Sequence, residues 1–237
     1  MPSWPDLLTK PAAAQDDKGR TEWFTRVAER LLHGSRLVVA REPHRFAEVE
    51  IYYCGDGRAF AGVLIRGLEK PDGTRIDGPS LCVDHLLDAT GAATVAALDK
   101  AVGARVAWDA GSPLFLREEP EGERRPVLRT TRVGLSLKRV KRTSDAPRYL
   151  LRRYRYLAAP RKTAKGKPHT VLALHADGKD AEAIRELTGC PRAAVQRYVA
   201  DFEEGKRTTD FGPYFGKDLT PKDLCRLHGT WHANFGE

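Results

Sequence analysis

The chain has 237 residues, with 40 lysines and arginines against 32 aspartates and glutamates, for a formal charge of +8. At ~100–200 residues per domain this length predicts two units, and the basic balance favours a polyanionic partner over an acidic one. Apolar runs such as 92–98 fall far short of the ~20 residues needed to cross a bilayer, and the scattered Cys54, Cys82, Cys190 and Cys225 form no CxxC pair. A soluble protein with reduced cysteines is therefore expected. With no secretory leader before the polar stretch 15–20, the expected location is the cytoplasm, at the bacterial nucleoid when DNA is bound.

Residues 1–20, with Pro2, Pro5, Pro11 and a polar tract, read as a flexible N-terminal arm. Residues 21–32 then carry Phe24, Val27, Ala28, Leu31 and Leu32 at helical spacing behind a Thr21 cap, and His33-Gly34 stops the helix. Two extended runs rich in β-branched and aromatic residues follow at 37–41 and 46–53, then a Gly55-Asp56-Gly57 turn and a third run at 59–67. These read as antiparallel strands. Pro71-Asp72-Gly73 is a further turn, and a loop over 77–80 leads into an apolar helix at 81–87. Another short helix is expected at 95–102. Strand-like runs recur at 105–108, 114–117, 127–137 and 149–156, between Gly, Pro and charged loops. The fold class expected over residues 21–160 is α+β, an antiparallel sheet with flanking helices.

The positive charge is unevenly placed. Between Lys138 and Lys167 stand twelve basic residues, against Asp145 alone. A run of one sign is often a solvated face, yet this density suits phosphate contact, for which Arg132, Lys138, Arg139, Arg148 and Arg152 are the expected residues.

Behind this basic linker, residues 161–206 read as a small all-α helix-turn-helix domain. Residues 170–176 are apolar at helical spacing and Asp177-Gly178 ends them. Asp180 caps a second helix over 181–187, with Ala183, Ile184 and Leu187 inward, and Thr188-Gly189-Cys190 makes the turn. Pro191 opens a third helix with Ala194, Val195, Tyr198 and Val199 on its buried stripe. The other face offers Arg192, Gln196 and Arg197, side-chain types that read base edges and phosphates in the major groove of double-stranded DNA. A helical bundle used for packing or dimerisation is the alternative. The tail, 207–237, contains Phe211, Tyr214, Phe215, Trp231 and Phe235, which are expected to pack back onto a domain, and Thr220-Pro221-Lys222-Asp223 resembles a helix start.

Within the first strands, Glu48 and Glu50 alternate with Val49 and Ile51, so both carboxylates project from one face. Arg66 lies in the neighbouring run, where it would hold a carboxylate ionised or form an ordinary cross-strand ion pair.

Five short blocks stand in the order seen in the alkyladenine (3-methyladenine) DNA glycosylases: Phe46-Ala47-Glu48-Val49-Glu50-Ile51-Tyr52, Gly62-Val63-Leu64-Ile65-Arg66-Gly67-Leu68-Glu69, Gly78-Pro79-Ser80-Leu81-Cys82, Thr131-Arg132-Val133-Gly134-Leu135 and Pro147-Arg148-Tyr149-Leu150-Leu151-Arg152. Over residues 25–157 the chain therefore resembles that family, with the helix-turn-helix and tail outside the resemblance. The resemblance implies a base-flipping N-glycosylase for alkylated or deaminated purines. In it Glu50 activates water, Tyr52 stacks on the extruded base, and Arg66 and the Val133 carbonyl place the water. An alkylated purine already carries positive charge, so the enzyme mainly supplies an aromatic slot, a positioned water and a carboxylate for the cationic sugar.

The chain departs from the family between the first two blocks. Where the family carries a long segment with a base-pocket His and an intercalating Tyr, this sequence has only residues 53–61, with no His. A catalytically inactive, DNA-binding or regulatory protein of the same fold is accordingly the alternative expectation. No GxGxxG or GxxxxGK loop occurs, so no nucleotide cofactor is expected. Cys225, His228 and His232 form C-x2-H-x3-H, three ligands without a clear fourth, and no metal is assigned.

Overall fold

The computed structural model describes residues 16–52, 62–119 and 127–236, with Trp4 and Leu7. The chain divides into two units: Met1–Leu128 with Tyr154–Ala158, and Arg129–Arg153 with Ala159–Glu237.

In the first unit, helix α1 (Asp17–Gly34) starts earlier than Thr21 because the Asp16 side chain accepts the Gly19 N–H. Its apolar stripe, including Phe24, Val27 and Leu31, is buried in a core shared with Val49, Ile51 and Leu68. Two residues of the expected arm, Trp4 and Leu7, sit in the same core, and Trp23 Nε1 donates to the Leu7 carbonyl at 2.6 Å.

Strands β1 (Ser35–Val39), β2 (Glu42–Tyr52), β3 (Gly62–Glu69), β4 (Arg75–Asp77) and β5 (Leu114–Glu118) form an antiparallel sheet in the order β4-β3-β2-β1-β5. Ala40 and Arg41, both at positive φ, make the tight β1–β2 turn that sets the pairing of Val39 with Glu42. After the short strand β6 (Leu128–Thr130), β7 (Arg155–Leu157) runs antiparallel to β2 at residues 48–50, so β2 is flanked along both edges. Phe46 through Ile51 are buried consecutively, so both faces of β2 are covered there, where a sheet with one wet face would alternate. The expected hairpin over 53–61 lies outside the described residues.

Helix α2 (Pro79–Thr90) begins with proline in its first turn, and α3 (Val95–Val102) is capped by Thr94 on the Ala97 N–H. The strand expected at 105–108 does not form. Arg105 instead turns back to donate to the Ala101 and Val102 carbonyls, closing the end of α3. Among the described residues no single helix is long and apolar enough to cross a membrane; α2 and α3 pass that test only together, bent by 61°.

The second unit is helical. The strand expected over 127–137 is confined to β6, since the chain turns at Gly134, which has φ 89. That expected over 149–156 is replaced at its start by α4 (Ala146–Leu150), with proline in its first turn, and only 155–157 is extended. Helices α5 (Lys167–Ala176), α6 (Ala181–Thr188), α7 (Arg192–Gly205) and α8 (Pro221–Phe235) follow. The Asp180 carboxylate accepts the Glu182 and Ala183 N–H groups, and Thr220 with Asp223 forms a capping box. Aromatics of the expected tail enter the core: Tyr214 and Trp231 pack with Leu137, Leu151 and Leu227, while Leu172, Phe202 and Cys225 form a second cluster. Within α6, Ile184 is buried as expected, but Leu187 points outward and is 42% exposed; the buried residue of that last turn is Thr188. The Thr188 hydroxyl is absorbed by the Ile184 carbonyl at 2.6 Å, which lets a polar side chain take the inward position.

Candidate functional site

Three of the expected site residues, Glu50, Arg66 and Tyr52, belong to the first unit and lie on β2 and β3. Opposite Glu48 the two strands slip twice in compensation: Ala47 is extra on β2 and Arg66 is extra on β3, between the pairs Glu48–Gly67 and Val49–Ile65. A bulge of this kind re-aims a side chain. Arg66 Nε donates to Glu48 Oε1 at 2.9 Å, and Arg66 Nη1 lies 3.4 Å from Glu50 Oε1. From the opposite edge, Arg155 Nε donates to the same Glu48 oxygen at 2.7 Å, although its cross-strand partner is Glu50.

Glu48, Glu50, Arg66 and Arg155 are all buried, Arg155 completely. Two carboxylates facing two guanidiniums leave the group electrically balanced, which is the condition under which such burial is tolerated. The acid pair thus points into the protein, not toward solvent as one strand face alone would suggest. Tyr52, at the end of β2, is 41% exposed and pairs with Gly62; its ring covers that glycine, where any Cβ would collide with it.

By sequence Arg155 belongs to the basic run. The signal that separates it is its setting, Tyr154-Arg155-Tyr156-Leu157, a hydrophobic strand in which it is the sole charge. A second polar pair of this unit escaped the sequence: His44, fully buried, has Nε2 2.8 Å from His85 Nε2 and Nδ1 3.0 Å from the Glu42 carbonyl. Burial, then the neighbouring His44, holds the His85 pKa below its ordinary value.

In the second unit, Arg192, Gln196 and Arg197 are exposed along α7, while Val195 and Phe202 anchor its other side. Arg192 and Gln196 are one turn apart and share a face. Gly189, at φ 69, closes α6 and sets the turn into α7. Lys167 holds this turn from beneath: its ammonium donates to the carbonyls of Pro160, Arg161 and Thr188, the last at 2.5 Å. It is occupied as a helix-end clamp.

The basic run divides by burial. Arg139 and Arg148 are exposed, Lys138 is exposed and bonded to Asp218 at 2.6 Å, and Arg132 and Val133 are half-buried. Arg152 is 7% exposed, withdrawn from any phosphate, and Arg153 pairs with Asp177 at 2.5 Å.

Among the described residues no three His, Cys, Asp or Glu side chains are placed to hold a metal. Cys225 lies in the apolar cluster with Leu172 and Phe202, where burial pushes its thiol pKa up to about 12. His228 turns to His169, Nε2 to Nδ1 at 3.0 Å, and Thr131 Oγ1 shares that Nδ1 at 2.6 Å. Burial lowers the His228 pKa to about 3.

The fold is thus a mixed α+β protein, an antiparallel sheet flanked by helices with a C-terminal helical region. In comparisons with known proteins, no family model, curated protein or solved structure matches the chain.

Proposed function

We propose that the protein binds double-stranded DNA through a helix-turn-helix formed by α6 and α7, with α7 entering the major groove. The observation that carries this reading is the exposed pair Arg192 and Gln196, one turn apart, with the exposed Arg197 beside Gln196, on a helix anchored by Val195 and Phe202. Arginine and glutamine supply the donors that bases and phosphates accept, and a rigidly packed helix presents them without reordering. The exposed Arg139 and Arg148 of the same unit, and the net charge of +8, support a polyanionic ligand.

The test is duplex binding measured against salt. Arg192→Ala and Arg197→Ala should each weaken binding about tenfold, and each should flatten the dependence of log affinity on log salt by roughly one if it meets a phosphate. Unchanged affinity in both variants would remove α7 from the interface.

A second reading, excision of alkylated or deaminated purines, is favoured by one observation: the buried Glu50 carboxylate lies beside Arg66, two residues before the exposed Tyr52. In that reading Glu50 activates water, Arg66 places it, and Tyr52 stacks on the extruded base. The ion pairing of both acids favours binding without excision. An abasic-site assay on damaged oligonucleotides separates the two: excision requires release by the wild type that Glu50→Gln abolishes.

A further inference from the structure

The second unit carries an open cleft of about 540 Å³, formed by the chain after Arg142, the approach to α4, the segment before α8 and the end of α8. Its lining combines three chemistries. Phe211 and Phe235 stand in a near-parallel stack, ring centroids 6.1 Å apart at 24°, and Phe215 adds a third ring with the Arg142 guanidinium 5.9 Å above it. Arg142 and Arg148 supply positive charge, while Asp145 and Asp210 supply carboxylates. Asp210 already accepts the Gly212 N–H at 2.7 Å, which fixes its carboxylate and leaves acceptor capacity on it. The floor is rigid: Trp231 packs against Phe235 at 5.4 Å and donates from Nε1 to the Pro147 carbonyl at 2.8 Å.

We propose that this cleft holds one unpaired nucleotide of a single DNA strand. Each chemistry of the lining has a counterpart in such a ligand: aromatic faces for the base, guanidiniums for the phosphate, carboxylates for the N–H groups of the base edge. The volume lies in the range of small-molecule sites, and base stacking on aromatic side chains is the usual means of holding single strands. A purely anionic ligand would leave Asp145 and Asp210 repelling it, and a purely apolar one would leave both arginines unused. The site is distinct from the α7 face, and it deepens the nucleic-acid reading, on which it rests.

The experiment is fluorescence anisotropy with a short labelled oligodeoxycytidine, the same strand carrying abasic positions, a matched duplex, and deoxycytidine monophosphate as competitor. The wild type should bind the base-bearing strand about tenfold more tightly than the abasic one. Phe235→Leu, which keeps much of the volume, should erase that difference. The exposed Arg148→Ala should weaken single-strand binding and flatten its salt dependence. Equal binding of base-bearing and abasic strands, or a preference that survives Phe235→Leu, overturns the proposal. Mononucleotide binding as tight as strand binding would also overturn it, as a free-nucleotide site. Duplex binding that is sensitive to Arg192→Ala, without base discrimination on single strands, sinks the cleft alone; binding of neither strand nor duplex sinks the DNA reading with it.

Discussion

Arg155 and Glu48, separated by 107 residues of sequence, meet in the core with the arginine Nε 2.7 Å from the carboxylate and no part of Arg155 exposed. Arg66 donates to the same oxygen from the other side of β2, so one carboxylate joins three strands of the sheet. Removing one member of a buried pair leaves an uncompensated charge and costs about 3–5 kcal/mol, whereas an apolar replacement of both members is often neutral. Arg155→Met should therefore lower the denaturant midpoint strongly, and Glu48→Leu combined with Arg155→Met less than the sum of the single changes. Strict additivity in that double-mutant cycle would show that the two residues do not act as a pair.

Gly205 and Gly229 bring the α7 and α8 backbones into contact. A Cβ at Gly205 would overlap the Arg226 carbonyl, and one at Gly229 would overlap the Phe202 carbonyl and lie 2.7 Å from the Lys206 nitrogen. Backbone cannot yield as a flexible side chain can, so Gly205→Ala or Gly229→Ala should destabilise the second unit by roughly 3 kcal/mol or more. Alanine normally stabilises a helix relative to glycine, which makes the predicted sign diagnostic. Thermal melting of both variants checks it; an unchanged or raised midpoint would show that the helices part without cost.

His228 links stability to acid. Its folded pKa, about 3, lies below the ordinary 6.5, so the unfolded chain binds the proton first. The contribution is complete above about pH 6.5 and is lost as pH falls toward 3, at about 1.4 kcal/mol per pH unit for this group. Melting temperature should thus fall from pH 7 to pH 5, and His228→Gln, though less stable at neutral pH, should show a shallower decline. An identical decline in both proteins would assign the acid sensitivity elsewhere.

Lys167 belongs to the basic run by sequence but serves as a clamp, donating to three backbone carbonyls around the end of α6. Charge-assisted hydrogen bonds of this kind contribute about 1.5–3 kcal/mol. Lys167→Met should lower the melting temperature while leaving the salt slope of duplex binding as in the wild type. The opposite pattern, intact stability with a flatter slope, would return this lysine to the phosphate contacts.

What the sequence determined by itself was local. Helices α5 to α8 follow from caps and apolar spacing within a few residues, as at Asp180 and at Thr220 with Asp223, and the strands β1 to β3 from their β-branched runs. Such signals are short-ranged because a cap or a turn is satisfied by its own neighbours. Tertiary structure alone decided which charges face inward: that Arg155 and Arg152 leave the solvated basic set, that Glu48 rather than Glu50 collects both arginine Nε donors, and that Thr188 replaces Leu187 in the core. It also decided the pairing of His169 with His228 and the seating of Trp4. Those outcomes depend on the low-dielectric environment that distant segments create when they meet, where an unpaired charge is prohibitive and a paired one is allowed. No window of sequence contains that environment, since its walls are contributed by strands and helices far apart along the chain.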